Sequence, residues 1–97
     1  MPKAIEVQFD DGHAVTIPVD DVRWLAGELR RSRSDPLASV AAAVLLERAV
    51  EDPHVAPNVV FTNEEAAAVV ALLRRRHAEL SQPLRGLHDG LREELEG

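Results

Sequence analysis

Ile5, Val7 and Phe9 alternate with Glu6 and Gln8, and after Asp10-Asp11-Gly12-His13 the alternation resumes as Val15, Ile17 and Val19 around Thr16. A period of two puts each apolar set on one face of a pleated strand. The Asp-Gly step between the runs supplies the positive φ that a tight turn needs. The spacing therefore predicts an N-terminal β-hairpin with one apolar face, and that face must be covered by the rest of the chain.

Helical patterning supplies the cover. Asp20 and Asp21 stand where acidic groups favour a helix N-terminus, and Val22, Leu25, Ala26 and Leu29 recur at helical spacing, so a first helix is expected to about Arg31. Ser34-Asp35-Pro36 is a second start signal, with Ser or Asp as cap and Pro at the first helical position, where its missing N–H costs nothing. Helix two is expected from Pro36 to about Val50. It is apolar nearly all round: Leu37, Val40, Ala41 and Val44 share one side, and Ala42, Leu46 and Val50 the other. It is read as the central buried helix, covered by its own chain or on one face by a second copy.

Pro53 and Pro57 stiffen the next connection, and Val59-Val60-Phe61 then marks a third short strand at 58–61. Thr62 with Glu65 fits a capping box for helix three. That helix carries Ala66, Val69, Val70, Leu73 and Leu80 inward and ends before Pro83. Leu84, Leu87, Leu91 and Leu95 make the stripe of an amphipathic fourth helix that Gly86 and Gly90 weaken. The fold class is α+β: one domain over residues 1–97, with the hairpin, the third strand and about four helices.

The chain also echoes itself. Val15-Thr16-Ile17-Pro18-Val19-Asp20-Asp21 matches Val59-Val60-Phe61-Thr62-Asn63-Glu64-Glu65 in plan, and Arg30-Arg31 then falls over Arg74-Arg75. Slightly out of register, Pro36-Leu37, Val40 and Val44 answer Pro83-Leu84, Leu87 and Leu91. Two strand-helix-helix units account for this, whether by duplication or by shared capping rules.

Composition limits the function classes. Without cysteine there is no disulfide framework, thiolate nucleophile or Cys-based zinc site, and a reducing cytoplasm is the expected compartment. With no basic-then-apolar leader at its start, and with apolar runs such as Val40 to Leu46 far short of the roughly 20 residues that span a bilayer, neither secretion nor membrane insertion is expected. A net charge of −6 disfavours indiscriminate polyanion binding. Ten of the eleven basic residues are Arg, which with fourteen alanines reads as a GC-rich, bacterial-type coding bias rather than chemistry. Aromatics are only Phe9, Trp24 and Phe61, so the core rests on small aliphatic side chains that bury little area each. A second copy would supply the missing burial.

No catalytic or cofactor motif is present: no phosphate loop, no GxGxxG turn, no nucleophile elbow and no HExxH. No cofactor is expected. Asp10, Asp11 and His13 cluster at the hairpin tip, but tips favour Asp and Gly for backbone reasons, and no metal is expected there. Among His13, His54, His77 and His88 no two share a helical face without crossing Pro83. His77 is placed in the apolar stripe of helix three between Leu73 and Leu80, and a small enzyme working from an inter-subunit cleft would use it or His13.

Two surfaces remain. Trp24 lies off the core stripe of helix one and, with Val40, Val44 and Leu46, is the expected interface of a homo-oligomeric interaction or regulatory protein, an edge of the hairpin being a further contact. The clusters Arg30, Arg31, Arg33 and Arg74, Arg75, Arg76 would form a basic stripe for phosphates if helices one and three end on the same side, with Arg30, Arg31, Arg74 and Arg75 as the expected polyanion contact. The alternative function is accordingly a nucleic-acid-associated accessory protein, against which both clusters sit where cations simply offset a helix macrodipole.

Overall fold

The hairpin forms as its pattern requires. In the computed structural model, which describes residues 4–52, 54 and 56–96, strand β1 (Ala4–Gln8) pairs antiparallel with β2 (Ala14–Pro18), Ile5 opposite Ile17 and Val7 opposite Val15. Gly12 takes φ 88° in the turn, the region glycine enters without steric cost. A short β3 (Asn58–Val59) adds parallel to β1, giving the order β2-β1-β3. It enters the sheet through the Glu6 N–H, which donates to the Pro57 carbonyl at 2.8 Å. The strand is shorter than the expected 58–61: Val60 turns outward and is exposed, while Phe61 drops into the core. Pro53 lies outside the described residues.

One face of this sheet is buried through Ile5, Val7, Ile17 and Val59, under a layer of four helices of which the first, second and fourth pack on the strands and the third packs on the other helices. They are α1 (Val19–Arg31), α2 (Pro36–Glu51), α3 (Asn63–Arg75) and α4 (Gln82–Glu96). Their inward leucines, valines and alanines join the strand residues in a single apolar cluster. The capping box of α3 is complete: the Glu65 N–H donates to Thr62 Oγ1 at 3.2 Å, and the Thr62 N–H to Glu65 Oε1 at 2.8 Å.

Three expectations are corrected. No side chain caps α2; Asp35 instead sits in the left-handed region at φ 51°, and the Ser34 carbonyl accepts from the hydroxyls of Ser32 and Ser39. Helix α3 stops at Arg75, well short of Pro83, because the Arg76 N–H divides between the carbonyls of Leu72 and Leu73, tightening the last turn, and the chain leaves through a 3-10 turn, His77–Glu79. Leu80 is still buried, but from beyond the helix. Helix α2 is not enclosed: Ser39, Ala42, Ala43, Leu46, Ala49 and Val50 face inward, while Leu37 is 87% and Val40 38% exposed.

The two strand-helix-helix units are present, β2-α1-α2 and β3-α3-α4. Their first helices are both 13 residues long and align Val19 with Asn63 and Arg31 with Arg75. Their second helices do not follow the sequence echo. Leu84, Leu87 and Leu91 are buried, whereas their sequence echoes Leu37, Val40 and Val44 lie on the outer side of α2. The inward positions match instead as Ser39 with Leu84, Ala42 with Leu87, Ala43 with His88 and Leu46 with Leu91.

Candidate functional site

Three surfaces carry unsatisfied chemistry. The first is the outer side of α2. At 100° per residue Leu37, Val40, Ala41 and Val44 fall on one stripe opposite the buried set, and Arg48 and Glu51 continue it. Beside Val44 and Arg48 lies a shallow cavity of about 480 Å³, with Glu47, Glu51 and Arg30 among its walls. Arg30 is committed there: its Nε donates to Glu47 Oε2 at 2.8 Å and its Nη2 to Oε1, tying α1 to α2. This two-pronged hydrogen bond holds the Glu47 carboxyl below the usual glutamate range.

The expected interface is therefore partly redrawn. Val40 is exposed and Val44 half-buried on the outer side, but Leu46 is fully buried, directly opposite Leu37 on the helix, and leaves the set. Trp24 is half-buried and packs against the core rather than projecting as an anchor.

The second surface is a notch of about 420 Å³ between the C-terminal turns of α1 and α3. The two arginine clusters do end on the same side, and four of their six members line the notch. Arg31 and Arg75 line the notch, joined by Arg33 and Arg76, while Arg30 is held by Glu47 and Arg74 is exposed outside it. Arg75 donates from Nη1 to Ser34 Oγ at 3.3 Å and from Nη2 to Ser32 Oγ at 3.4 Å, so its fork rests on neutral hydroxyls. Glu28 is the one carboxylate in the lining; its Oε2 is 3.3 Å from Arg76 Nη2 and its Oε1 4.0 Å from Arg31 Nη1.

The third is an acidic hollow of about 540 Å³ formed where the hairpin tip meets α4, with Asp10, Asp11, Glu93 and Glu94 around Phe9 and Gly90. Burial pushes the Glu94 carboxyl above its usual range, although the Asp10 N–H donates to it at 2.6 Å. On the rim Asp11 lies 2.8 Å from His13 Nδ1; the hydrogen bond lowers the Asp11 carboxyl and raises the His13 imidazole. Among the described residues no group of three or more His, Asp or Glu is arranged to hold a metal ion, and no helix is long and apolar enough to cross a membrane.

The histidines are rearranged as well. His77 is exposed in the 3-10 turn, because α3 ends before it, and is not part of an apolar stripe. Its ring meets that of His88 edge-on, 5.4 Å between centroids, so two histidines do come together across Pro83. His88 is 4% exposed; its Nδ1 reaches Asp89 at 3.0 Å, and its Nε2 has no hydrogen-bond partner among the described residues. Sequence reasoning missed it, although its spacing from Leu84 and Leu91 puts it beside the inward stripe.

Comparison with known proteins returns no match to a protein family, a curated protein or a solved structure.

Proposed function

We propose that the chain is a homo-oligomeric interaction module whose working surface is the outer side of α2, covered by the same surface of a second copy. The observation that carries this is the unbroken apolar stripe Leu37, Val40, Ala41 and Val44 on a helix whose opposite side already fills the core. A single exposed leucine needs no explanation, but a contiguous stripe does.

A second copy fits because the stripe is self-complementary about a twofold axis. In an antiparallel pair centred near Ala41, Leu37 of each helix faces the other's Val44 and the hollow beyond it. The small Ala41 lets the helices approach at the centre.

Light scattering during size exclusion at high micromolar concentration tests this. The wild-type chain is expected to run as a dimer, and the triple variant Leu37→Gln, Val40→Arg, Val44→Asp as a folded monomer. A wild-type monomer at that concentration overturns the reading.

A further inference from the structure

We propose that the notch between the C-terminal turns of α1 and α3 binds a phosphate group, carried as a monoester on a small molecule. This site is independent of the outer side of α2. Its lining repeats: Glu28, Arg31 and Ser32 of the first unit occupy the same helix positions as Leu72, Arg75 and Arg76 of the second, with Arg33 added from the loop. The two units thus converge their last helical turns on one point and bring guanidinium groups there from both sides.

The ordinary explanation for arginine in a last helical turn is the macrodipole, whose C-terminal end is worth about half a negative charge. Here that explanation falls short. Four guanidinium groups meet two half-charges and Glu28, and Glu79, itself outside the lining, takes one prong of Arg76 at 3.4 Å. At least about one positive charge remains uncompensated, in a chain whose net charge is −6.

The geometry selects the anion. Arg75 presents a planar fork that touches only the hydroxyls of Ser32 and Ser34, at long distances, so its charge is free for a stronger acceptor. Those hydroxyls can donate to the same oxygens. A tetrahedral dianion brings a second charge and more acceptor oxygens to these forks than a monovalent carboxylate does. The volume, about 420 Å³, lies in the range of small-molecule sites, and buried Leu72 on the wall gives an apolar surface to the group that carries the phosphate. Glu28 opposes the anion while orienting Arg76, so it sets the affinity.

The test is calorimetric titration at constant ionic strength with inorganic phosphate and with phenyl phosphate, followed in parallel by backbone amide NMR shifts. Both probes are expected to saturate, shifting the amides of Arg33, Arg75 and Arg76, with phenyl phosphate the tighter of the two. Arg75→Ala, an exposed position, should weaken binding at least tenfold and leave the amide spectrum folded, whereas Glu28→Gln should tighten it several-fold. Binding of phenyl phosphate should weaken below about pH 6, where the monoester loses its second charge and arginine does not change.

Inorganic phosphate binding as tightly as phenyl phosphate would overturn the monoester assignment. No saturation by either probe, or equal affinity in Arg75→Ala, would overturn the site. Binding of single-stranded RNA with a steep salt dependence, but of neither small probe, would overturn it in favour of a nucleic-acid surface.

Discussion

Helices α2 and α4 occupy equivalent places in the two strand-helix-helix units, and they treat their outer sides in opposite ways. With the inward positions matched, Leu37, Val40, Ala41 and Val44 of α2 correspond to Gln82, Arg85, Gly86 and Asp89 of α4. The fold needs only the inward half of each helix. That α4 closes the core with a polar exterior shows that the apolar exterior of α2 is no requirement of packing. Solubility would favour the α4 pattern on both. The contrast also runs inward: Ala42 and Ala43 let α2 lie close to its neighbours, where α4 fills the same layer with Leu87 and His88.

The sharpest way to break this comparison is to truncate each side of α2 in turn. Leu46→Ala empties a position with no solvent exposure and should cost about 2–5 kcal/mol, at any protein concentration. Val44→Asp, which copies Asp89 of α4 onto the outer side, should change the stability of the isolated chain by only about 0.5 kcal/mol. It should instead remove the concentration dependence of unfolding that a dimer imposes. Urea melts at low and high micromolar protein separate the two. Equal losses from both substitutions at both concentrations would mean that the outer side is already packed within one chain.

The same contrast explains what the amino-acid order revealed and what it hid. The hairpin, the starts of α2 and α3, and the capping box at Thr62 were legible because each is written in neighbouring residues: alternation, Asp-Gly, Pro36, Thr62 with Glu65. The two sides of α2 were also legible as sides, since both are apolar and half a helical turn separates them. Which side faces the core was not, because that depends on where the sheet lies. The echo of Pro36-Leu37 in Pro83-Leu84 misled for that reason: matching letters put Leu37 with Leu84, which face opposite ways. The convergence of Arg31 with Arg75 needed two helix ends to meet, and the burial of His88 needed α4 to dock. Both are properties of packing and leave only faint traces in local sequence.

Glycines sharpen the comparison at a smaller scale. Where α2 carries Ala41 and Leu45, α4 carries Gly86 and Gly90, which should weaken it. At Gly90 there is a reason: a Cβ built there would lie 2.4 Å from Phe9 Cζ, so the ring packs directly on the helix backbone. At Gly86 the nearest atom to such a Cβ is Val15 Cγ2 at 3.5 Å, an ordinary contact. Gly90→Ala should therefore destabilise by about 1 kcal/mol, displacement of the ring outweighing the better helix propensity. Gly86→Ala should stabilise by about 0.5–1 kcal/mol. Thermal melts of the two variants that moved in the same direction would show that Phe9 relaxes freely.

Glu94 gives the smallest effect and the clearest sign. It stands where α2 buries Ala49, so its carboxyl is partly desolvated beside Asp10 and Asp11, and burial raises its proton affinity in the folded chain. A carboxyl that binds its proton more tightly when folded favours folding at low pH, and that stability is lost as the pH rises through the folded value. At neutral pH the charged form is therefore a burden on the fold. Glu94→Gln keeps an oxygen to accept the Asp10 N–H and removes the charge, so its melting temperature should exceed that of the wild-type chain at pH 7. The gap should close as the pH falls to about 4, where even a free glutamate is largely protonated. The exposed Asp11–His13 pair titrates in both chains and cancels in the difference. A gap of constant size from pH 7 to pH 4 would show that the amide acts through packing or hydrogen bonding, and that the α4 position tolerates its charge.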